Sequence, residues 1–259
     1  MSEPLVSYSV TNRIATITLN RPDKKNALSA ELVFQLTETM QQASEDDLVK
    51  VIILKANGNV FSAGADLAYL QQLASNTHEA NLADSESLKR LFTTIYYLPK
   101  VVIAQVEGHA IAGGCGLATV CDIIFAVPEA KFGYTEVKLG FVPAIVSCFL
   151  LRKTSETIAK RILLTGELFS AQQALDFGLI TFLAEKSEIE EKVKEFSLNL
   201  CEQSSSNALM VTKQLIGQTT NPILEKSLET AVQINARVRE SADFKRGVAS
   251  FLNKESIKW

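Results

Sequence analysis

The stretch from Gly108 to Ala126, GHAIAGGCGLATVCDIIFA, constrains the fold more than any other. It carries no formal charge until Asp122, yet it contains the adjacent pair Gly113 and Gly114. Glycine is among the poorest residues for starting a buried helix or filling a strand. A helix that opens within a glycine pair leaves its first N–H groups unpaired, and residues without side chains let a ligand carbonyl come close to them. Such a helix start is a set of ready oxyanion donors. A tight strand-to-helix turn eased by two glycines is the other reading this stretch allows.

The same arrangement recurs along the chain. LVSYSVTNRIATITLN, Leu5 to Asn20, alternates apolar and polar residues around a Thr11-Asn12 turn signal and predicts a half-buried hairpin. Ser29 is a helix N-cap residue, and Leu32, Val33, Leu36, Met40 and Ala43 follow at helical spacing. KVIILKA at 50–56 reads as a strand buried on both faces. A second glycine loop, NVFSAGADLAYLQQ at 59–72, follows it, and Asp66 stands where a helix begins. Strands are predicted at 100–108 and 121–127, with a helix at about 84–97 and Pro99 separating the cycles. Beyond Ala144 apolar periodicity predicts helices over 145–163, 170–177, 186–203, 205–217 and 221–252. This is a layered α/β core in which two strand-then-glycine loops supply one N–H donor each, the pair that enolate chemistry needs.

With 47% hydrophobic and 21% charged residues in 259, the composition is globular rather than disordered. A formal charge of -3 gives no field to attract nucleic acid, and no apolar run approaches the ~20 residues that span a bilayer, so neither nucleic acid nor membrane is an expected partner. MSEPLVSYSV lacks the basic flank and apolar core of a secretory signal, and a cytoplasmic location is expected. Cys115, Cys121, Cys148 and Cys201 form no CxxC pair and read as core thiols in a reducing compartment. His78 and His109 are too few for a histidine-rich metal site, and no metal or cofactor is expected. Ser62, His109 and Asp122 are the residue types of a hydrolytic triad, but Ser62 has no nucleophile-elbow pattern around it. Asp66 reads as a helix cap and Asp122 as a hydrogen-bonded carboxylate opening a strand.

Six segments in sequence order, NRPDKKNALS, FSAGADL, GHAIAGGCGLATVCDIIFA, AKFGYTEVKLGFVPA, LLTGELFSAQQALDFGLI and FLNK, make nearly the whole chain resemble the crotonases, the enoyl-CoA hydratase/isomerase superfamily. The resemblance implies a ClpP/crotonase-like α/β spiral of ββα turns over about 1–200 and a C-terminal helical region over 201–259 that builds a trimer or a hexamer. It implies an acyl-CoA thioester substrate, so that CoA arrives with the substrate and no separate cofactor is needed. The thioester oxygen would sit between the N–H groups of Ala65 and Gly113, with Gly114 and Gly116 beside it. Asp66, Leu67 and Ala68 would run along the CoA, and Phe251 and Lys254 would reach a neighbouring subunit's CoA. Lys24 and Lys25 are open between contact with CoA phosphates and a solvated loop pair.

Hydratases of the superfamily resemble one another in using two glutamates. Glu136 in FGYTEVKLG stands at the second position, but the first is Gly116. One carboxylate can shuttle a proton between two carbons, as the family's Δ3-Δ2-enoyl-CoA isomerases do. SAGADLAYLQQ, NLADS, YYLPK, GGCGLATVCD and TEVKLGFVPAIVS pull the other way. They are similar to a bacterial branch of methylglutaconyl-CoA hydratases of leucine degradation, in which glycine also holds that position. The expected activity is therefore hydration of a branched enoyl-CoA such as 3-methylglutaconyl-CoA, with isomerisation as the alternative. A catalytically degenerate CoA-binding protein is the rival from another class.

Overall fold

The structure, a computed structural model, describes residues 4–219, 221–257 and 259, and the side chains of Leu67, Asn221 and Pro222 fall outside that description. The alternation over 5–20 folds as a hairpin: β1 (Val6–Thr11) and β2 (Ile14–Leu19) pair antiparallel from Val6 opposite Leu19 to Thr11 opposite Ile14. Asn12 and Arg13 turn the chain with φ of 52° and 66°, the twist that a two-residue hairpin loop requires. α1 (Ala30–Glu45) starts at Ser29, whose side chain accepts a hydrogen bond from the Leu32 N–H, and it buries the apolar stripe that its spacing predicts.

Three times the chain then lays a longer strand in one sheet and a short one in another. β3 (Val51–Ala56) is followed by β4 (Val60–Ser62), β5 (Val101–Val106) by β6 (His109–Ile111), and β7 (Ile123–Ala126) by β8 (Lys131–Gly133). β9 (Phe169–Ser170) and β10 (Phe182–Leu183) complete a six-stranded sheet ordered β1-β2-β3-β5-β7-β10 and a four-stranded sheet ordered β4-β6-β8-β9. Apart from β1–β2 and β8–β9 the pairings are parallel. Parallel neighbours need crossover connections, so the chain climbs as a spiral of ββα turns. α2 (Leu67–Ser75) and α3 (His78–Tyr97) close the first turn and α4 (Gly113–Thr119) the second. The core between the layers includes Ile17, Leu36, Ile52, Leu54, Phe92, Val102 and Phe149, all essentially inaccessible. Each such side chain contributes about 1.5–3 kcal/mol on burial.

Three of the expected helices differ from the periodicity. The helix expected over 84–97 begins at His78, because Thr77 caps it by accepting from the Ala80 N–H. The helix expected over 145–163 is two, α5 (Ala144–Leu150) and α6 (Glu156–Thr165), with Ser155 capping the second. α7 (Ala171–Asp176), α8 (Ile189–Gln203) and α9 (Ser206–Gln218) lie where periodicity puts them. The segment expected as one helix over 221–252 breaks into α10 (Asn221–Val238) and α11 (Ala242–Leu252), where Ser241 accepts from the Phe244 N–H. In each case a Ser or Thr hydroxyl satisfies a helix-start donor, which ends the preceding periodicity.

The break at Ser241 changes the role of the C-terminal arm. α10 packs on α3 and α5 of its own chain, so Leu224, Leu228 and Val232, apolar positions that periodicity leaves in want of a partner, are buried internally. α11 then folds back onto α2 and the 3-10 turn Glu136–Leu139. Gly247 makes that approach possible, since a Cβ there would lie 2.2 Å from the Leu139 carbonyl oxygen.

Candidate active site

β4, β6 and β8 run parallel and side by side, so the segments that follow them leave the same edge of the small sheet. Those segments are the loop 63–66, the turn into α4 at Ala112–Gly113, and the stretch leading to Glu136. The two glycine loops touch: a Cβ on Gly64, whose φ is +83°, would lie 2.8 Å from Ala112 Cβ and 2.9 Å from the Ile111 carbonyl oxygen. Ala112 itself has φ 52° and ψ -127°, a costly conformation for a residue with a side chain. Its N–H donates to the Gly133 carbonyl at 2.7 Å, which ties the turn to the end of β8. Asp66 N–H donates to the Leu28 carbonyl and Leu28 N–H to that of Gly64, which pins the other loop.

Ala65 and Gly113 both line a cavity of about 1130 Å³. Leu28, Tyr69, Leu70, Leu88, Phe141 and Ile145 supply part of its apolar wall. Gly113 is the first residue of α4 and has no carbonyl within its helix to bond. The Ala65 N–H makes no hydrogen bond among the described residues. Two unclaimed main-chain donors thus stand on adjacent loops at one cavity wall.

Glu136 opens the 3-10 turn and lines the same cavity at 8% exposure. Its Oε2 is buried without a hydrogen-bond partner. Burial pushes its carboxyl up to about 7, against a smaller opposing effect of its own backbone N–H. A carboxyl poised there exchanges a proton readily near neutrality.

The other sequence-picked residues separate. Asp66 caps α2, accepting from the Ala68 and Tyr69 N–H groups, and pairs with Arg21 at 2.7 Å. Burial pushes its carboxyl up, but the Arg21 hydrogen bond and the backbone donors outweigh that and hold it below the usual range. Ala68 and Lys25 line the cavity, as does Lys24. Leu67 begins α2, and its side chain lies outside the described residues.

Gly114 and Gly116 do not line the cavity, contrary to the expectation that they sit beside the substrate. A Cβ on Gly114 would lie 2.4 Å from the Ser62 carbonyl oxygen, so this glycine lets α4 rest on β4. At Gly116 a Cβ would lie 2.3 Å from Val146 Cγ1 and 3.2 Å from Phe92 Cε2, so apolar side chains fill the space a carboxylate would need. Phe251 lines the cavity of its own chain, onto which α11 folds back, and Lys254 lies outside that lining.

The triad residue types are apart in function. Ser62 is buried and accepts from the Gly64 N–H, His109 Nδ1 accepts from the Lys131 N–H, and Asp122 accepts from the Val102 N–H and from Lys213. The four cysteines are free, three buried and Cys148 half-buried. Among the described residues no group of three or more His, Cys, Asp and Glu is placed to hold a metal ion, and no helix is long and apolar enough to cross a membrane.

Periodicity missed one feature of the cavity. Tyr69, Asp84, Asn235 and Arg239 line it together as a polar cluster. Arg239 Nη1 donates to Asp84 Oδ2 at 2.6 Å, and the Tyr69 hydroxyl donates to Asp84 Oδ1. The one signal for it in the sequence is the spacing of Asn235 and Arg239, four residues apart and so on one helix face.

The family model for enoyl-CoA hydratase/isomerase matches residues 9–259. The chain is 31% identical to the 2,3-dehydroadipyl-CoA hydratase of Escherichia coli (strain K12), covering 99% of this chain and 98% of that one. It is 26% identical to the trans-2-decenoyl-[acyl-carrier-protein] isomerase of Streptococcus mutans, covering 98% and 97%. The crystal structure of an enoyl-CoA hydratase from Mycobacterium avium superposes with a TM-score of 0.87 at 33% identity, covering 98% of each chain. The spiral fold, the cavity and these matches together make the chain a member of the enoyl-CoA hydratase/isomerase family, within the crotonase superfamily.

Proposed function

We propose that this enzyme hydrates a branched enoyl-CoA, 3-methylglutaconyl-CoA being the type substrate, through an enolate held by the Ala65 and Gly113 N–H groups. The observation that carries the reading is Glu136: a buried carboxyl without an ion-pair partner, pushed up to about 7, in the same cavity as the two unclaimed donors. Glu136 takes a proton from water as the water oxygen bonds to C3. The C2=C3 electrons pass to C2 and the thioester oxygen, and the enolate then takes the proton back from Glu136 at C2. Water is thereby added across the double bond with no second carboxylate. Each preorganised donor to the oxyanion is worth about 10²–10³ in rate. No cofactor takes part beyond the CoA of the substrate.

A second reading, Δ3-Δ2 isomerisation, is favoured by Gly116, where Val146 and Phe92 occupy the room for a first glutamate. Glu136 would then remove a proton from C2 of a 3-enoyl-CoA and return it at C4. Hydration, isomerisation and decarboxylation measured side by side on linear and branched thioesters separate the readings. Isomerisation faster than hydration on every substrate would replace the hydratase with an isomerase. Thioester binding without turnover of any substrate would leave the degenerate CoA binder.

The same reading includes a cytoplasmic homotrimer or homohexamer with a helical region over 201–259. It is supported by the exposed apolar side chains Val211, Leu215 and Ile223 on α9 and α10, which suit an interface between copies.

A further inference from the structure

Arg239 is 3% exposed and Asn235 is 3% exposed, yet both line the cavity that holds Glu136. The Nη1 of Arg239 is committed, donating to Asp84 Oδ2 and to the Asn81 carbonyl oxygen. Phe141 lies against the guanidinium, 5.6 Å from ring centroid to Cζ, and holds its plane in place. The ion pair and the carbonyl bond both use Nη1, whereas Nε is buried without a partner. Nε–H and Nη2–H together are the parallel fork that matches a carboxylate's two oxygens. Asn235, one turn earlier on α10, has its Oδ1 buried and unpartnered as well. Its amide can turn its NH2 toward the same ligand, since the two ends of an amide are interchangeable in such a site. A buried guanidinium Nε and a buried amide oxygen left unpaired are costly unless something fills them.

We propose that Arg239 and Asn235 form a subsite for a carboxylate at the far end of the acyl group, so that the enzyme selects dicarboxylic acyl-CoA thioesters over plain alkyl ones. This deepens the proposed function and rests on it for the chemistry at C2 and C3, but not for binding. Asp84 balances the Arg239 charge before substrate arrives, and Tyr69, donating to Asp84, fixes that carboxylate on the Nη1 side. The Nε–Nη2 edge is then left clear of that ion pair.

Binding of two saturated, unreactive thioesters of equal chain length, glutaryl-CoA and valeryl-CoA, tests this by calorimetry. Wild-type protein should bind glutaryl-CoA about ten- to a hundredfold tighter, the range for hydrogen bonds to a charged group. Arg239→Lys keeps a charge opposite Asp84 but lacks the fork, and should bring the ratio near one. Asn235→Leu should lower it by several-fold and serves if Arg239→Lys does not fold. A wild-type ratio near one, or a ratio unchanged in both variants, overturns the subsite. A clear glutaryl preference in a protein that hydrates no thioester keeps the subsite and rejects the hydratase reading, whereas hydration without the preference rejects the subsite alone.

Discussion

Glu136→Gln separates two consequences of the same burial. The wild-type carboxyl titrates near 7 in the folded chain against 4.5 as its ordinary value. Between those pH values the folded state holds a proton that the unfolded state has lost, so folding stability must fall as pH rises through that window. A difference of this size corresponds to about 3 kcal/mol at 1.36 kcal/mol per pKa unit. Glutamine occupies nearly the same volume and does not titrate. Below about pH 4 the variant and wild type should therefore differ by a constant offset, and by pH 8 the variant should have gained about 3 kcal/mol on wild type. Turnover should meanwhile drop at least ~10²-fold, as loss of a general acid-base group does. Guanidinium unfolding of both proteins at several pH values, with kcat measured on the best thioester, reads both effects. A stability difference flat across pH would show that Glu136 titrates like a surface carboxylate, and the burial argument for its catalytic role would fail. Activity retained in the variant would remove Glu136 from the mechanism whatever the stability curves show.

Three further outcomes are expected. Ala65→Pro deletes one of the two unclaimed donors and should raise the barrier by about 3 kcal/mol while CoA-thioester affinity, read by calorimetry, survives; a parallel loss of affinity would make the 63–66 loop structural only. Gly116→Ala should destabilise by about 1–3 kcal/mol through overlap with Val146, and Val146→Ala in the same chain should relieve part of that cost; additive effects in a thermal-unfolding double-mutant cycle would contradict the packing at this position. Light scattering at micromolar concentration should find a trimer or hexamer, and a monomer there would mean that Val211, Leu215 and Ile223 are exposed for another reason.

Local chemistry was enough to make several features legible in the sequence. Ser29 and Asp66 are caps because a short polar side chain next to a helix start satisfies its free N–H groups, whatever else packs nearby. The hairpin at 6–19 and the buried strand at 51–56 follow from alternation and from a continuous apolar run. Gly113 and Glu136 were visible as motif residues, and the loops that carry them follow strands of one sheet. What periodicity could not show depends on distances across the fold. The contact of the Gly64 and Ala112 loops arises from the parallel pairing of β4 and β6, residues almost fifty apart in sequence. The loss of the first glutamate is more than a substitution, because Val146 and Phe92, from two other helices, fill its room. The return of α11 over its own cavity hangs on one capping serine and one glycine, neither of which announces a direction. Nothing in the periodicity singles out Arg239 and Asn235; the packing of α10 onto α3 brings them to the cavity and leaves the Arg239 Nε buried there without a partner. A side chain's type is written in the chain, whereas the groups it must satisfy are set by which elements the sheet pairing brings together.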